Sequence, residues 1–187
     1  MKQVLSTMGA NGGLHCFING LLDPGHDLVT FEPMFPMYLD HVDLAGGKTR
    51  AVPLIVKENK WTFNPEMLYK ELSNPAVSVF LFNSPHNPTG KVFSKDEIQL
   101  ISDILDEFPH IKVISDEVYE MLTFDGVPHH HFATIGNNWN RTVSVFSGGK
   151  LFNSTGWKVG WSVGPEEIIN LGAIVNSAVY YCVNHPG

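Results

Sequence analysis

The chain has 187 residues, 43% hydrophobic and 17% charged, enough apolar material for one globular core. Its formal net charge of −7 argues against a nucleic-acid partner, because phosphate backbones select basic faces. No apolar run approaches the roughly 20 residues that span a bilayer, and the first residues lack a signal-peptide core, so no membrane role is expected. Cys16 and Cys182 are far apart and form no CxxC, which fits a reducing compartment, the cytoplasm or the mitochondrial matrix.

Taken in chain order, residues 6–22 (STMGANGGLHCFINGLL) place a glycine-rich turn before an apolar-periodic stretch. Free N–H groups at such a helix start can receive a phosphate, with Ala10 and Asn11 as the contacts. Residues 27–33 (DLVTFEP) read as a strand ending near Phe35, whose flat ring could stack on a planar ligand. A further strand is predicted at 49–55 and a short helix over Pro65–Leu72, capped by Asn64. Residues 77–82 (VSVFLF) form a strand that stops in the turn NSPHNPTG, which contains Asn87. Ser94 to Glu97 is a capping box, and Ile98, Ile101, Leu105 and Phe108 then recur at helical spacing. Residues 111–115 read as a buried strand with Asp116 at its end and Tyr119 three residues later. The apolar run 142–146 (TVSVF) precedes SGGKLFNSTGWKVGW at 147–161, read as a loop with two lysines and four glycines. Pro165, followed by Glu166 and Glu167, is placed at the first position of a last helix, where the acids complement its dipole. Alternating strands and crossovers predict an α/β fold, a doubly wound, mostly parallel sheet flanked by helices.

In an open α/β sheet, loops at the strand ends line the ligand cleft, which places Lys150 at a site rather than on a random surface. A lysine there can form an imine with an aldehyde, while Lys158 is free to meet an anion. A carboxylate such as Asp116 can hold a pyridine nitrogen protonated, and Tyr119 and Asn87 can hydrogen-bond a ring oxygen. Amine, phosphate partner and buried acid together point to pyridoxal 5′-phosphate.

In the order NSPHNPTG, SDEVY and SGGKxFxxTGWKVGW, these motifs resemble the fold type I pyridoxal-phosphate aminotransferases, within them the kynurenine aminotransferase and cysteine-conjugate β-lyase group. The resemblance runs from about Thr7 to the end of the chain. It implies that Lys150 forms the imine and shuttles protons, that Asp116 pairs with the pyridinium, and that Tyr119 and Asn87 bind the ring oxygen. It further implies a phosphate cup of Ala10, Asn11, Ser147 and Lys158, with Phe35 stacked on the cofactor. Two departures stand out: Asn11 replaces a tyrosine frequent in relatives, and the PMF order at 33–35 leaves one aromatic where relatives often have two.

By that resemblance, residues 1–187 are one cofactor-binding large domain, without the N-terminal arm and C-terminal small domain of longer relatives. Tyr180 and Tyr181 would reach the partner's site in a homodimer. Arg50 and Arg141 stand at strand starts, away from the site, so the arginine that binds the substrate carboxylate is expected beyond Gly187. The implied reaction is amino transfer between an amino acid, aromatic or large like kynurenine, and a 2-oxo acid. A β-lyase on the same site and a non-catalytic relative of the fold are the alternatives, and the 187-residue chain alone is expected to be inactive. No metal is expected: in the tract 129–131 adjacent histidines do not converge on one ion and no ligand follows at a suitable spacing, so it reads as a surface loop. Trp157 and Trp161, which bracket the lysine loop, are expected to pack the cofactor wall.

Overall fold

In the computed structural model, which describes residues 3–184, eight strands share one sheet in the order β1-β8-β7-β6-β5-β2-β3-β4. These are β1 (Val4–Met8), β2 (Asp27–Glu32), β3 (Lys48–Lys57), β4 (Lys60–Phe63), β5 (Val77–Asn83), β6 (Lys112–Asp116), β7 (Thr142–Ser147) and β8 (Val159–Val163). The run β3-β2-β5-β6-β7 is parallel, whereas β8 is antiparallel to both β7 and β1, and β4 is antiparallel to β3. The predicted mostly parallel, doubly wound α/β sheet is therefore present, with antiparallel strands at its margins.

The helices are α1 (Gly9–Leu21), α2 (Met37–Leu44), α3 (Pro65–Leu72), α4 (Lys95–Asp106), the short α5 (Gly148–Leu151) and α6 (Glu166–Val179). Strand alternation sends successive side chains to opposite faces. Phe80 and Phe82 of β5 therefore join Phe31, Phe93, Leu68 and Ile98 under α3 and α4. Val79 and Leu81 join Leu14, Phe17, Ile18 and Val42 under α1 and α2, where Ile168 and Ile169 of α6 also pack. Burying such a side chain contributes about 1.5–3 kcal/mol, so two apolar layers clamp the sheet. The α1–α6 contact depends on Gly172, where an added Cβ would lie 2.3 Å from the Phe17 ring.

Local signals act as expected in α3 and α4. Asn64 Oδ1 accepts the Glu66 N–H, and Ser94 with Glu97 forms a reciprocal capping box. Pro165 stands one place earlier than predicted, as the N-cap of α6 rather than its first residue. The 147–161 stretch is not one loop: it contains α5, a 3₁₀ turn at Thr155–Trp157 and the start of β8. Strands β1, β4 and β8 and helix α2 go beyond the sequence expectations.

The tryptophans also differ from expectation. Trp161 stacks on Phe146 with ring centroids 5.9 Å apart, and Trp157 is 56% exposed. The histidine tract is not a plain surface loop either, because His129 and His131 both reach the buried Glu117. Among the described residues no helix is long and apolar enough to cross a membrane.

Candidate active site

Strand register brings the chemistry to one edge of the sheet. Asn83, Asp116 and Val145 are neighbours across β5, β6 and β7, while Ser147 pairs with Gly160 and Met8 with Val159. The carboxyl ends of the parallel strands thus meet the start of α1, the crevice where open α/β sheets bind ligands. A cavity of about 370 Å³ opens there, lined by Ala10, Asn11, Phe35, Asn87, Asp116, Tyr119, Ser147, Lys150 and Lys158. All nine residues singled out from the sequence therefore face one space, joined by Met8, Gly9, Leu14, Met37, Tyr38, Val118 and Thr155. Neither Trp157 nor Trp161 lines it.

At one end lies Asp116, 4% exposed, whose Oδ2 accepts a 2.6 Å hydrogen bond from the Tyr38 hydroxyl. Burial pushes its carboxyl up to about 6, against the opposing pull of the Tyr38 hydrogen bond. A buried acid held in this way gains most from a cationic hydrogen-bonded partner. Tyr38 sits on α2 and was not visible as a site residue, because only the fold carries it from the Phe35 loop to the end of β6.

The other end is built for an anion. Helix α1 begins at Gly9 with no side-chain cap and no acid in its first turn, so its leading N–H groups and the positive end of its dipole are available. Lys158 adopts the left-handed conformation at φ 54°, and its backbone passes beside Gly9. Gly160 permits this approach: a Cβ there would lie 2.5 Å from the Gly9 carbonyl carbon and 2.8 Å from the Ala10 nitrogen. Asn11 Oδ1 lies 3.0 Å from His41 Nε2, so the side-chain oxygen accepts from the ring N–H.

Lys150 lies on α5 immediately after β7, where Ser147 Oγ accepts the Lys150 backbone N–H at 3.2 Å. Its Nζ is 5.6 Å from the centroid of the Tyr119 ring. Asn87 is set by Asn83, whose Oδ1 accepts the Asn87 N–H at 2.8 Å while its Nδ2 donates to the Asp116 carbonyl at 2.8 Å. Phe35 meets Tyr38 edge to face at 5.6 Å.

A larger cavity of about 930 Å³, lined among others by Trp61, His86, Lys91, Leu122, Phe124 and Val127, touches the first through Tyr119. Lys91 is already paired with Glu97 at 2.6 Å, so the convergent polar groups belong to the smaller cavity. Arg50 binds Asp27 and Glu71, and Arg141 binds Asp106 and the Leu105 carbonyl. Neither lines a cavity described here, as expected from their positions at strand starts. Tyr180 packs edge to face against His15 of α1, and Tyr181 is 87% exposed.

Comparison with known proteins agrees with this geometry. Residues 1–186 match the family model for aminotransferase class I and II. The chain is 39% identical to a kynurenine–oxoglutarate transaminase of Dictyostelium discoideum over 96% of its own length and 44% of that protein's. It superposes with a TM-score of 0.93 on N-succinyldiaminopimelate aminotransferase from Mycobacterium tuberculosis, at 34% identity, covering 96% of this chain and 46% of that one. With an aromatic aminotransferase from Pyrococcus horikoshii the TM-score is 0.89 at 31% identity, covering 96% and 48% respectively. The chain thus spans less than half the length of these relatives, and it belongs to the class I and II aminotransferase family.

Proposed function

We propose that the chain is the cofactor-binding large domain of a pyridoxal-phosphate-dependent aminotransferase, which moves an amino group from an aromatic or large amino acid such as kynurenine to a 2-oxo acid. The observation that carries this reading is the cavity itself, lined together by a buried carboxylate, an uncapped helix start with Lys158, and the lysine Lys150. The residues fit the cofactor because the raised carboxyl of Asp116 calls for a cationic partner and the α1 terminus calls for an anion.

When bound, pyridoxal phosphate supplies an aldehyde that links to amines and a ring that takes up the electron pair left when a Cα–H bond breaks. Asp116 would keep the ring nitrogen protonated, and the Tyr38 hydroxyl holds the Asp116 carboxylate in place for it. Asn87 and Tyr119, which line the same cavity, would donate to the ring's 3-oxygen, and Phe35 would pack on the ring. Ala10, Asn11, Ser147 and Lys158 would hold the phosphate. Lys150 would hold the cofactor's aldehyde through its amine, and the same amine, once free, would serve as the base that moves the substrate's Cα proton.

The apolar cavity beyond Tyr119 supports a bulky substrate side chain, and the name of the Dictyostelium relative supports kynurenine. Arg50 pairs with Asp27 and Glu71 and Arg141 with Asp106, so neither is the group that holds the substrate carboxylate. The protein works as a homodimer in which Tyr180 and Tyr181 lie near the partner's site. Its two unpaired cysteines suit the cytoplasm or the mitochondrial matrix.

The test is a single-turnover reaction on the longest natural reading frame containing these residues, loaded with pyridoxal phosphate. Mixed with kynurenine alone, the loaded protein should convert its aldehyde absorbance to that of the amine form, and 2-oxoglutarate should restore it. An absorbance indifferent to every amino acid offered would refute the reading.

A further inference from the structure

The histidine tract holds chemistry that the aminotransferase reading does not use. Residues 127–131 run without regular structure from the β6 side of the sheet to Phe132, and His131 is extended at φ −69°, ψ 123°. In an extended segment adjacent side chains diverge, but alternate ones share a face. His129 and His131 accordingly turn to the same oxygen of one buried carboxylate: Glu117 Oε2 lies 2.9 Å from His129 Nε2 and 2.5 Å from His131 Nδ1. His130, between them, is not part of the group.

We propose that Glu117, His129 and His131 form a binding site for a divalent transition-metal ion, with zinc the best match to its donors. Two imidazoles and one carboxylate are a known donor set for zinc with a fourth position left open. The three ligand atoms lie within 4.8 Å of one another. Bonds of about 2.0–2.1 Å in tetrahedral array separate ligand atoms by roughly 3.3 Å, so separations of 2.5 to 4.8 Å need to change by at most about 1.5 Å to admit an ion. The site is also supported from behind. Ser115 and Ser144 donate to the other Glu117 oxygen, Oε1, at 2.9 and 2.8 Å, which fixes the carboxylate and leaves Oε2 for the metal. Glu120 Oε2 stands 3.8 Å from His131 Nε2, the far nitrogen of a ligand imidazole, longer than a hydrogen bond but close enough to add negative charge beside the site.

Access and charge agree with this assignment. Glu117 and His129 are nearly sealed, with side chains 0% and 7% exposed, but the His131 side chain is 44% exposed and gives the ion a route and a solvent ligand. Glu117 and Glu120 together balance a dication once both imidazoles are neutral. Ser115 and Ser144 lie on the sheet face opposite Asp116, because Ser115 and Asp116 are consecutive residues at the end of β6. The metal would therefore brace the end of the strand that carries Asp116 without entering the cofactor cavity.

The experiment is titration of the chelator-stripped full-length protein, with its cofactor in place, by zinc chloride against a chromophoric chelator. Cobalt(II) serves as a spectroscopic probe of coordination. The wild type and the His130→Gln variant should each bind one ion per chain, with cobalt giving the intense visible bands of a four-coordinate site. His131→Gln should weaken binding at least about tenfold, and His129→Gln likewise. Because His131 is partly exposed, its variant also shows whether the effect survives with the fold intact, checked by the unchanged bound cofactor. Zinc affinity and cobalt spectrum that are the same in wild type and His131→Gln, or no binding in the wild type, would overturn the proposal.

Discussion

The Tyr38 hydroxyl donates to Asp116 Oδ2 at 2.6 Å, which ties the first turn of α2 to the end of β6. Both groups are buried, and burial followed by the Asp116 charge pushes the Tyr38 phenol well above its ordinary range, so it remains a donor throughout the working pH range. Removing a donor from a buried carboxylate costs about 1–3 kcal/mol or more, since the acceptor is left without a partner. Tyr38→Phe should therefore lower stability by about that amount and loosen cofactor binding, as measured by urea unfolding and equilibrium dialysis. An unchanged unfolding midpoint and cofactor affinity would show that this hydrogen bond does not position Asp116.

Asp116→Asn should separate stability from function. Without a cationic ligand, the buried charge opposes folding, so the neutral amide should stabilise the cofactor-free protein at pH 7 by up to about 3 kcal/mol. The same variant should bind pyridoxal phosphate more weakly and lose turnover, because an amide cannot hold the ring nitrogen protonated. Tyr38→Phe should cost less in this background than in the wild type, and a double-mutant cycle measures that coupling. Equal costs in both backgrounds would mean that the two side chains act independently.

Gly160→Ala probes the anion end. The added Cβ would lie 2.5 Å from the Gly9 carbonyl carbon, so backbone rather than a flexible side chain must move. Such overpacking costs about 1–3 kcal/mol and would shift the first N–H groups of α1. Cofactor affinity should fall by at least about tenfold, more than for alanine at the exposed Gly156, where nothing lies within 4 Å of the added Cβ. Equal affinities for the two variants would show that the start of α1 does not hold the phosphate.

Acid sensitivity should trace in part to His86. It is buried in the turn after β5 with Nδ1 2.9 Å from Thr89 Oγ1, and burial followed by the Lys91 charge pulls its imidazole down to about 4. A folded value below the unfolded 6.5 means that the folded state binds fewer protons between the two. Its contribution to stability is therefore complete above pH 6.5 and is lost as the pH falls towards 4, a change of up to about 3 kcal/mol. Urea unfolding across this range should show a shallower pH dependence in His86→Gln than in the wild type. Parallel profiles would assign the acid lability to other groups.

The sequence announces the site more fully than the sheet around it. Lys150, Asp116 and Asn87 each follow an apolar run that reads as a strand, and strand ends in a parallel sheet share an edge, so their meeting was legible. Tyr38, Asn83 and His41 were not, because each matters through a partner on another element. Helix α2 is eight residues long and buries only Tyr38, His41 and Val42, too short a stretch for a periodic signal. Strand β8 begins inside the glycine-rich lysine segment, where turn chemistry masks a short alternation. Trp157 and Trp161 lay close to Lys150 in sequence, but strand pairing turned Trp161 towards Phe146 instead of the cavity. The histidine tract was misread for the opposite reason: its carboxylate precedes it, at Glu117, and only the fold brings them together.

The decisive measurement is chemical mapping of the attachment point. The longest natural reading frame is incubated with pyridoxal phosphate, reduced with borohydride, digested and analysed by mass spectrometry. A single adduct on Lys150 is the expected result; no adduct, or labelling scattered over other lysines, would contradict the assignment of this cavity as an aminotransferase active site.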